Sequence, residues 1–555
     1  MTRYRDSKWS YVSTFAGLAL LAGLTASAAM AGTPWPGLRG PNHDGSVDAK
    51  LFEGDTASLE VAWKVDLGSG YSSVVVSGPR VVTLFADGDT DYIGAFDTES
   101  GKELWRYGFS ETYPGHDGSH DGPISTPWVE GDKVYGLGPY GQLFALDVTT
   151  GKELWATDLS KDYEAPKPHY GFTSSPVVVG DVLVVQVGGG EGKSVAGFNV
   201  ADGEMLWTLG DDAINYQSPV AVELAGQLQV LSAGPTTLIG IEPKSGELLW
   251  SYEHGGDPSA MGGSSLVPLP AGDDRIFLAN KTDASSMVQV KKSGDGFEVS
   301  ELWSNNTIRS SYVLPVVHDG YVYGISGRIL TCVDAATGER KWRSRAPGDG
   351  FPTRVGDHLV IITKPGSLHV VDASPEGFNE VASVDLFEDH SWSAVAYADG
   401  HLYARSMAHL ARIDVQGSAP EVVAEGDGEG DGSAAWIGGT AFGAFLAKVD
   451  GADDKKAAVD AFLEAQSSFP IIEPSGAVHF VYRGEAEDVG IVGDMIGYRR
   501  EDPMNRVAGT DLFYYSMMLE PNAAVDYGFL PDFAGEPVAD PRNEQKGAGL
   551  FGEVS

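Results

Sequence analysis

The sequence predicts an all-β protein: an eight-bladed β-propeller closed by an N-terminal strand and followed by a small β-sandwich. Three observations predict it. An Asp-to-Gly-to-Trp hairpin recurs through the chain. Its tryptophans stand at 105, 155, 207, 250, 303 and 342, a period of 39 to 53 residues. Each repeat holds short apolar runs broken by glycine turns, in a chain with 72 glycines. Four short strands at that period describe a propeller blade.

Each part of the repeat has a physical reason. In "ALDVTTGKELW", Asp147 bonds its side chain to nearby backbone N–H groups and starts a turn. Gly151 supplies the positive φ that closes it. Trp155 then projects from the last strand into a neighbour. The same spacing joins Asp97, Gly101 and Trp105; Asn199, Gly203 and Trp207; Glu242, Gly246 and Trp250; and Asp334, Gly338 and Trp342. A motif copied five times is architecture rather than a catalytic centre.

Eight units follow, with first strands beginning near Tyr71, Ile124, Thr173, Tyr216, Gly262, Tyr312, Phe351 and Ser391. The unit ending at Trp303 has a longer turn, and the seventh lacks the tryptophan. The eighth stops after three strands, and "LEVAWKVDLG" with Trp63 precedes the first unit. Residues 60–67 are therefore expected to supply the missing strand and close the ring, which removes exposed edges. The propeller is placed at residues 32–415, an acidic linker with a short helix at 416–468, a β-sandwich at 469–545 and a tail at 546–555.

Composition limits the partners. The 555 residues carry a formal net charge of −40, which repels phosphate backbones and anionic headgroups, so nucleic acid is an unsuitable partner. Residues 1–31 read as a signal peptide: Arg3, Arg5 and Lys8, then the apolar stretch 15–24, then Ala29-Met30-Ala31. That stretch is too short to span a bilayer. The expectation is an exported, periplasmic or extracellular monomer with no integral membrane segment in the mature chain. Cys332 is the one cysteine, so neither an internal disulfide nor a lipid-anchoring cysteine after the signal is available.

"WPGLRGPNHDGSV" at 35–47, followed by the Asp-x-x-[Ser/Thr/Asp]-Gly-x-x-x-Trp hairpins, resembles the pyrroloquinoline quinone (PQQ) repeat propellers over residues 35–415. That group holds eight-bladed quinoprotein alcohol dehydrogenases and the non-catalytic propeller of outer-membrane protein assembly. The resemblance implies PQQ and Ca²⁺ as cofactors in the enzyme members, with a vicinal cysteine pair against the quinone. A single cysteine cannot supply that pair. The expectation is thus recognition or scaffolding with no cofactor and no catalytic residue, and a PQQ- and Ca²⁺-dependent oxidoreductase is the alternative.

Function is then sought in the joints between repeats, where a rigid scaffold presents loops. They concentrate His116, Asp117, His120, Asp121, His169, Tyr170, Tyr216, His254, Arg309, Tyr312, His390 and Trp392 as a ligand or partner face. Trp63, Trp105, Trp155, Trp207, Trp250, Trp303 and Trp342 are structural. "HDGSHDG" at 116–122 offers nitrogen and oxygen donors to a divalent ion, and equally forms two Asx turns. "GGGEGKS" at 188–194 reads as a hairpin loop, and "EGDGEGDG" at 425–432 lacks the ligand spacing of a calcium loop.

Beyond residue 415, "ADDKKAAVDAFLEAQ" at 452–466 reads as one helix, and short strands return from about Phe469. "VHFVYRG" through "YGFL" to "ADPRN" resembles the immunoglobulin-like module that precedes the catalytic domain of enterochelin-esterase-like hydrolases, over about residues 470–545. That family is related to glycogen-binding modules, so Tyr498 becomes a candidate glycan-stacking residue. The family's Asn-Gly-Trp is replaced here by Ile496-Gly497-Tyr498. A protein, a small molecule or a glycan is therefore the class of partner expected.

Overall fold

In the hairpin of 142–158, Asp147 Oδ1 accepts from the amides of Thr149 and Thr150 at 3.1 and 2.8 Å and from the Thr150 hydroxyl at 2.8 Å. These bonds hold its carboxyl below the usual range. Gly151 takes φ +68° and returns its N–H to the Asp147 carbonyl. One residue later the ladder carries a bulge, and Trp155 emerges opposite Ala145. Its indole N–H donates to the carbonyl of Val200, in the next repeat, at 3.1 Å. The turn glycine of that repeat, Gly203, lies under the ring: a Cβ there would stand 2.6 Å from it.

The relay repeats. Trp105, Trp207, Trp303 and Trp342 donate to the carbonyls of Val148, Pro243, Ala335 and Ser374. Trp63 donates to Thr98 O. Trp250 is the exception: the next repeat extends its third and fourth strands to a tight turn at Ser293–Gly296 in place of the usual glycine turn, and the indole N–H bonds Gln229 Oε1 at 2.7 Å.

The computed structural model describes residues 34–555 except 55, 117–118, 190, 214–215, 255–266, 280–283, 310–312, 419–439, 453, 467, 496–500, 520–522, 524, 534–536, 544–546, 550–551 and 555. The signal-peptide reading, Asp117, Tyr312 and Tyr498 fall outside the described residues. The protein is all-β, and its repeats fold as consecutive four-stranded antiparallel sheets in the manner of a β-propeller. Sheets one to seven span 75–111, 128–158, 177–209, 220–253, 267–305, 316–344 and 350–385, each in chain order. The next sheet joins Ala396–Ala398, His401–Arg405 and His409–Ser418 to the N-terminal strand Thr56–Asp66, which pairs antiparallel outside His409–Ser418. That strand begins four residues earlier than the sequence reading placed it. The first strand of this last sheet touches Val75–Ser77 of sheet one.

First strands start four or five residues later than read in every sheet but the seventh, which starts one residue earlier. The Ser/Thr residues before them bond sideways instead of along a ladder. Ser73 N donates to Thr126 Oγ1, Thr126 N to Ser175 Oγ and Ser175 N to Ser218 Oγ, each at 2.8–2.9 Å. A segment at 34–47 straps the ring across its middle. Trp35 exchanges two hydrogen bonds with Val76, Val129 N donates to Pro36 O, and Ser46–Val47 runs parallel to Arg354–Val355. Arg39 is buried in this strap and donates to Pro315 O. Burial lowers its guanidinium to about 10. His43 stacks flat on Trp128 at 4.9 Å, and burial, then Arg39, lowers it to about 4.

After residue 440 the helix expected at 452–466 is found at Lys455–Glu464, and a further helix outside that range, Ala441–Asp450, precedes it. Thr440 and Asp454 cap them by accepting from Gly443 N and Ala457 N. Two sheets follow, one of four strands around Ala477–Arg483 and Leu512–Met518, one of three around Val489–Gly493. They pack through Val478, Phe480, Ile491, Phe513 and Phe529. The opposite face of the larger sheet, with Val481, is covered by Phe442, Phe445 and Leu463 of the helices. The strand from 477 to 481 is therefore buried on both faces, which is why it reads as a continuous apolar run.

This C-terminal unit docks on sheet six through arginines. Arg345 Nη2 meets Asp488 Oδ1 at 2.9 Å, Arg328 meets Asp502 at 3.5 Å, and Arg340 pairs with Glu487. Asp488 is nearly buried.

Gly151→Ala should cost at least about 2 kcal/mol, since an L side chain must take positive φ against the Trp105 ring; urea unfolding checks it. Arg345→Ala should speed amide exchange in Glu501–Pro503 about tenfold, the loss of one charge-assisted bond, while sheets one to four keep their protection. Exchange mass spectrometry reads both.

Candidate functional site

In an antiparallel four-strand sheet, the joint to the next sheet and the turn between strands two and three lie on the same face. The candidate residues therefore share a face, and the structure shows which of them meet. His116 and His169 stack at 5.0 Å, His169 meets Tyr170 edge-on at 4.6 Å, and Tyr170 meets Tyr216 at 5.4 Å. The Tyr170 N–H donates to Tyr216 Oη, with Tyr216 itself at φ +58°. Four predicted residues from three joints thus form one run. His116 and His169 are exposed, and Tyr170 and Tyr216 are half-buried.

His120 and Asp121 face the other way. His120 N donates to Tyr71 Oη at 2.8 Å, and Asp121 Oδ1 accepts from Ser69 at 2.7 Å. Tyr71 in turn lies 6.0 Å from Trp392. Trp392 also carries the Lys364 ammonium 4.6 Å from its ring, while that ammonium pairs with Asp349 at 2.6 Å. The band thus continues from sheet four back to sheet seven. His390 is exposed beside Trp392. Arg309 stands apart: its N–H donates to Ser326 Oγ and it makes no ring contact with the band among the described residues. His254 bonds the Gly234 carbonyl.

Of the HDGSHDG donors, His116, His120 and Asp121 are described. Among the described residues no three His, Cys, Asp or Glu side chains converge as a metal site requires. Ser119 Oγ accepts from His116 N, so the loop is a turn closed on itself.

Sequence reasoning missed three band members. Tyr113 is buried at its centre, within 5.6 Å of both His116 and Tyr140. Tyr140 carries the Lys167 ammonium at 4.4 Å. Lys364 completes the set. Tyr140 and Lys364 sit in turns between second and third strands, which face the same way as the joints; a search of those turns finds them.

Beneath Tyr113 lies Asp91, which is fully buried. Its Oδ2 accepts from Tyr113 N at 3.2 Å, and its Oδ1 has no partner among the described residues. Burial, with Asp121 nearby, raises its carboxyl to about 7 from an ordinary 3.8. The folded protein thus keeps this proton to about pH 7, whereas the unfolded chain releases it near 3.8. The stabilisation is complete below the unfolded value and is lost as pH rises toward 7. Asp91→Asn should flatten the fall in melting temperature between pH 4 and pH 7, as thermal scans across that window will read.

Residues 89–344 match the family model described as outer membrane protein assembly factor BamB. The chain is 24% identical over 367 residues to outer membrane protein assembly factor BamB of Shewanella oneidensis, spanning 57% of this chain and 89% of that protein. It is 28% identical over 244 residues to quinohemoprotein alcohol dehydrogenase ADH IIB of Pseudomonas putida, spanning 40% of this chain and only 33% of that protein. Its fold is similar to that of the quinohemoprotein alcohol dehydrogenase of Comamonas testosteroni, with TM-score 0.51 at 12% identity, covering 73% of this chain and 84% of that one. A europium-containing methanol dehydrogenase gives TM-score 0.50 at 13% identity, covering 67% and 90%. Among the described residues no helix is long and apolar enough to cross a membrane. Residues 89–344 are therefore similar to the BamB-type PQQ repeat, and the fold is similar to that of the quinoprotein dehydrogenases.

Proposed function

We propose that this is an exported, eight-bladed, non-catalytic propeller that recognises a partner protein through its aromatic and histidine band, with an immunoglobulin-like C-terminal module docked on sheet six. The observation that carries the reading is the band itself. His116, His169, Tyr170 and Tyr216 come from three joints yet stack in one run. Rigid aromatic side chains on a preformed scaffold bury large area at little entropic cost, which suits protein recognition. The similarity to BamB, which spans 89% of that protein, supports the same reading.

The oxidoreductase is the second reading, favoured by the likeness to ADH IIB. Its implied cofactors are tested by the residues present. Cys332 is buried in a strand of sheet six, where desolvation raises its thiol to about 12. It has no second cysteine to pair with, so this chain lacks the vicinal pair that PQQ catalysis of alcohols implies. The described residues also gather no set of carboxylates for Ca²⁺.

One pair of measurements separates the readings. A photo-cross-linking residue at Tyr170 should capture a protein partner in the exporting cell, and the same residue at Glu247, in a turn of the opposite face, should not. Purified protein given PQQ and Ca²⁺ should leave dye reduction by alcohols and sugars at background; turnover there would overturn the scaffold reading.

A further inference from the structure

Beside the band, where the joint that carries His169 and Tyr170 leaves sheet two, a groove of about 280 Å³ opens between sheets one and two. Its walls follow from strand alternation. Tyr107 and Phe109 point the same way from the last strand of sheet one, Glu103–Glu111; Gln142 and Phe144 do so from the third strand of sheet two, Gln142–Asp147. The Phe144 ring lies 5.6 Å from Tyr107 and 5.2 Å from Phe109. The repeat does not require these rings. Two and four residues past their tryptophans, sheet two has Thr157 and Leu159, and sheet six has Ser344 and Ala346.

The two hydroxyls in the groove are already used as donors, Tyr107 Oη to Glu153 and Thr157 Oγ1 to Asp162, which leaves carbonyl and carboxylate oxygens beside the Gln142 amide. Gln142 Oε1 is buried without a hydrogen-bond partner among the described residues. A Cβ at Gly138 would stand 2.6 Å from that oxygen and 2.9 Å from Phe109, so the glycine keeps the space open. Asp162 uses Oδ2 to accept from Thr157 Oγ1 at 2.9 Å and from Asp158 N at 2.8 Å, bonds that hold it ionised. Asp158 already holds one cation, Lys161 Nζ at 2.6 Å. Aromatic faces, an orphan carbonyl oxygen and ionised carboxylates all favour positive charge that carries N–H donors.

We propose that this groove binds a guanidinium or primary ammonium group, as carried by a small organic amine or by an arginine or lysine side chain. The rings receive the cation face-on, Gln142 Oε1 accepts one N–H, and Asp162 balances the charge. The site is independent of the band and of the partner read there, since it shares no residue with either.

Calorimetric titration of the full chain with agmatine, with Gly-Arg-Gly and with the neutral isostere Gly-citrulline-Gly tests it. The expected result is saturable binding of at least one of the two cations and none of the citrulline peptide. Agmatine binding more tightly points to a free amine, and the peptide binding more tightly points to a protein side chain. Phe109→Leu, which keeps apolar bulk, and Asp162→Asn should each weaken binding about tenfold, with Phe109→Leu leaving the melting temperature unchanged. Failure of both cations to saturate, equal binding of the citrulline peptide, or unchanged affinity in both variants would overturn the proposal.

Discussion

The indole N–H that crosses from each sheet to the next is the constraint on which the ring depends. It couples two features in one side chain: the tryptophan leaves its strand at a bulge, and the neighbour offers a turn carbonyl, with a glycine beneath every such indole but Trp342. Neither sheet satisfies the bond alone. A ring built this way sets the angle between sheets by sterics, with the apolar cores supplying the driving force. The sideways hydroxyl bonds from Ser73 to Ser218 fix the same neighbours a second time, near the inner strands.

The departures obey the same rule. Sheet seven has Ala382 opposite Val370, where other sheets have tryptophan. Its neighbour, sheet eight, is the one whose third and fourth strands are not joined by a turn, so no glycine turn stands there to receive an indole. Trp250 meets lengthened strands that end in a tight turn, and finds Gln229 in its own sheet instead. The closing bond is made by Trp63, carried on the N-terminal strand, and its acceptor is in sheet one. Loss and retention of tryptophan thus follow the acceptor.

Much of this was legible because turn chemistry is local. Asp147, Gly151 and Trp155 lie within nine residues, and their roles follow from spacing alone. Strand starts were less legible: a Ser-Ser or Ser-Thr pair has strand-like propensity, and only the neighbouring sheet reveals that its hydroxyls bond sideways. The band was half legible. Its joints could be named in order, but which residues of the joints and turns meet, as Tyr113 meets His116 and Tyr140, is decided by packing between sheets. The arginines of "ERKWRSR" at 339–345 read as one more Trp strand; their acidic partners at 487 and 488 lie 143 to 147 residues away. The second helix was missed because Ala441–Asp450 is short and follows a polar, glycine-rich stretch that masks its start.

Closure by the N-terminal strand also orders events in time. Thr56–Asp66 is made first and pairs with His409–Ser418, made last among the sheets, with Glu60 bonded to Gln416 across 356 residues of chain. Until then the first-made strand has no ladder, and the last sheet has an open edge of the kind that templates association between chains. So distant a contact is reached slowly, because a long loop must close before it is rewarded. Successive sheets can stack as they emerge, but the cylinder becomes one cooperative unit only when its two ends meet. A partial chain is therefore an open arc with an adhesive end, and the need to shield that arc during synthesis and transport is written into the topology.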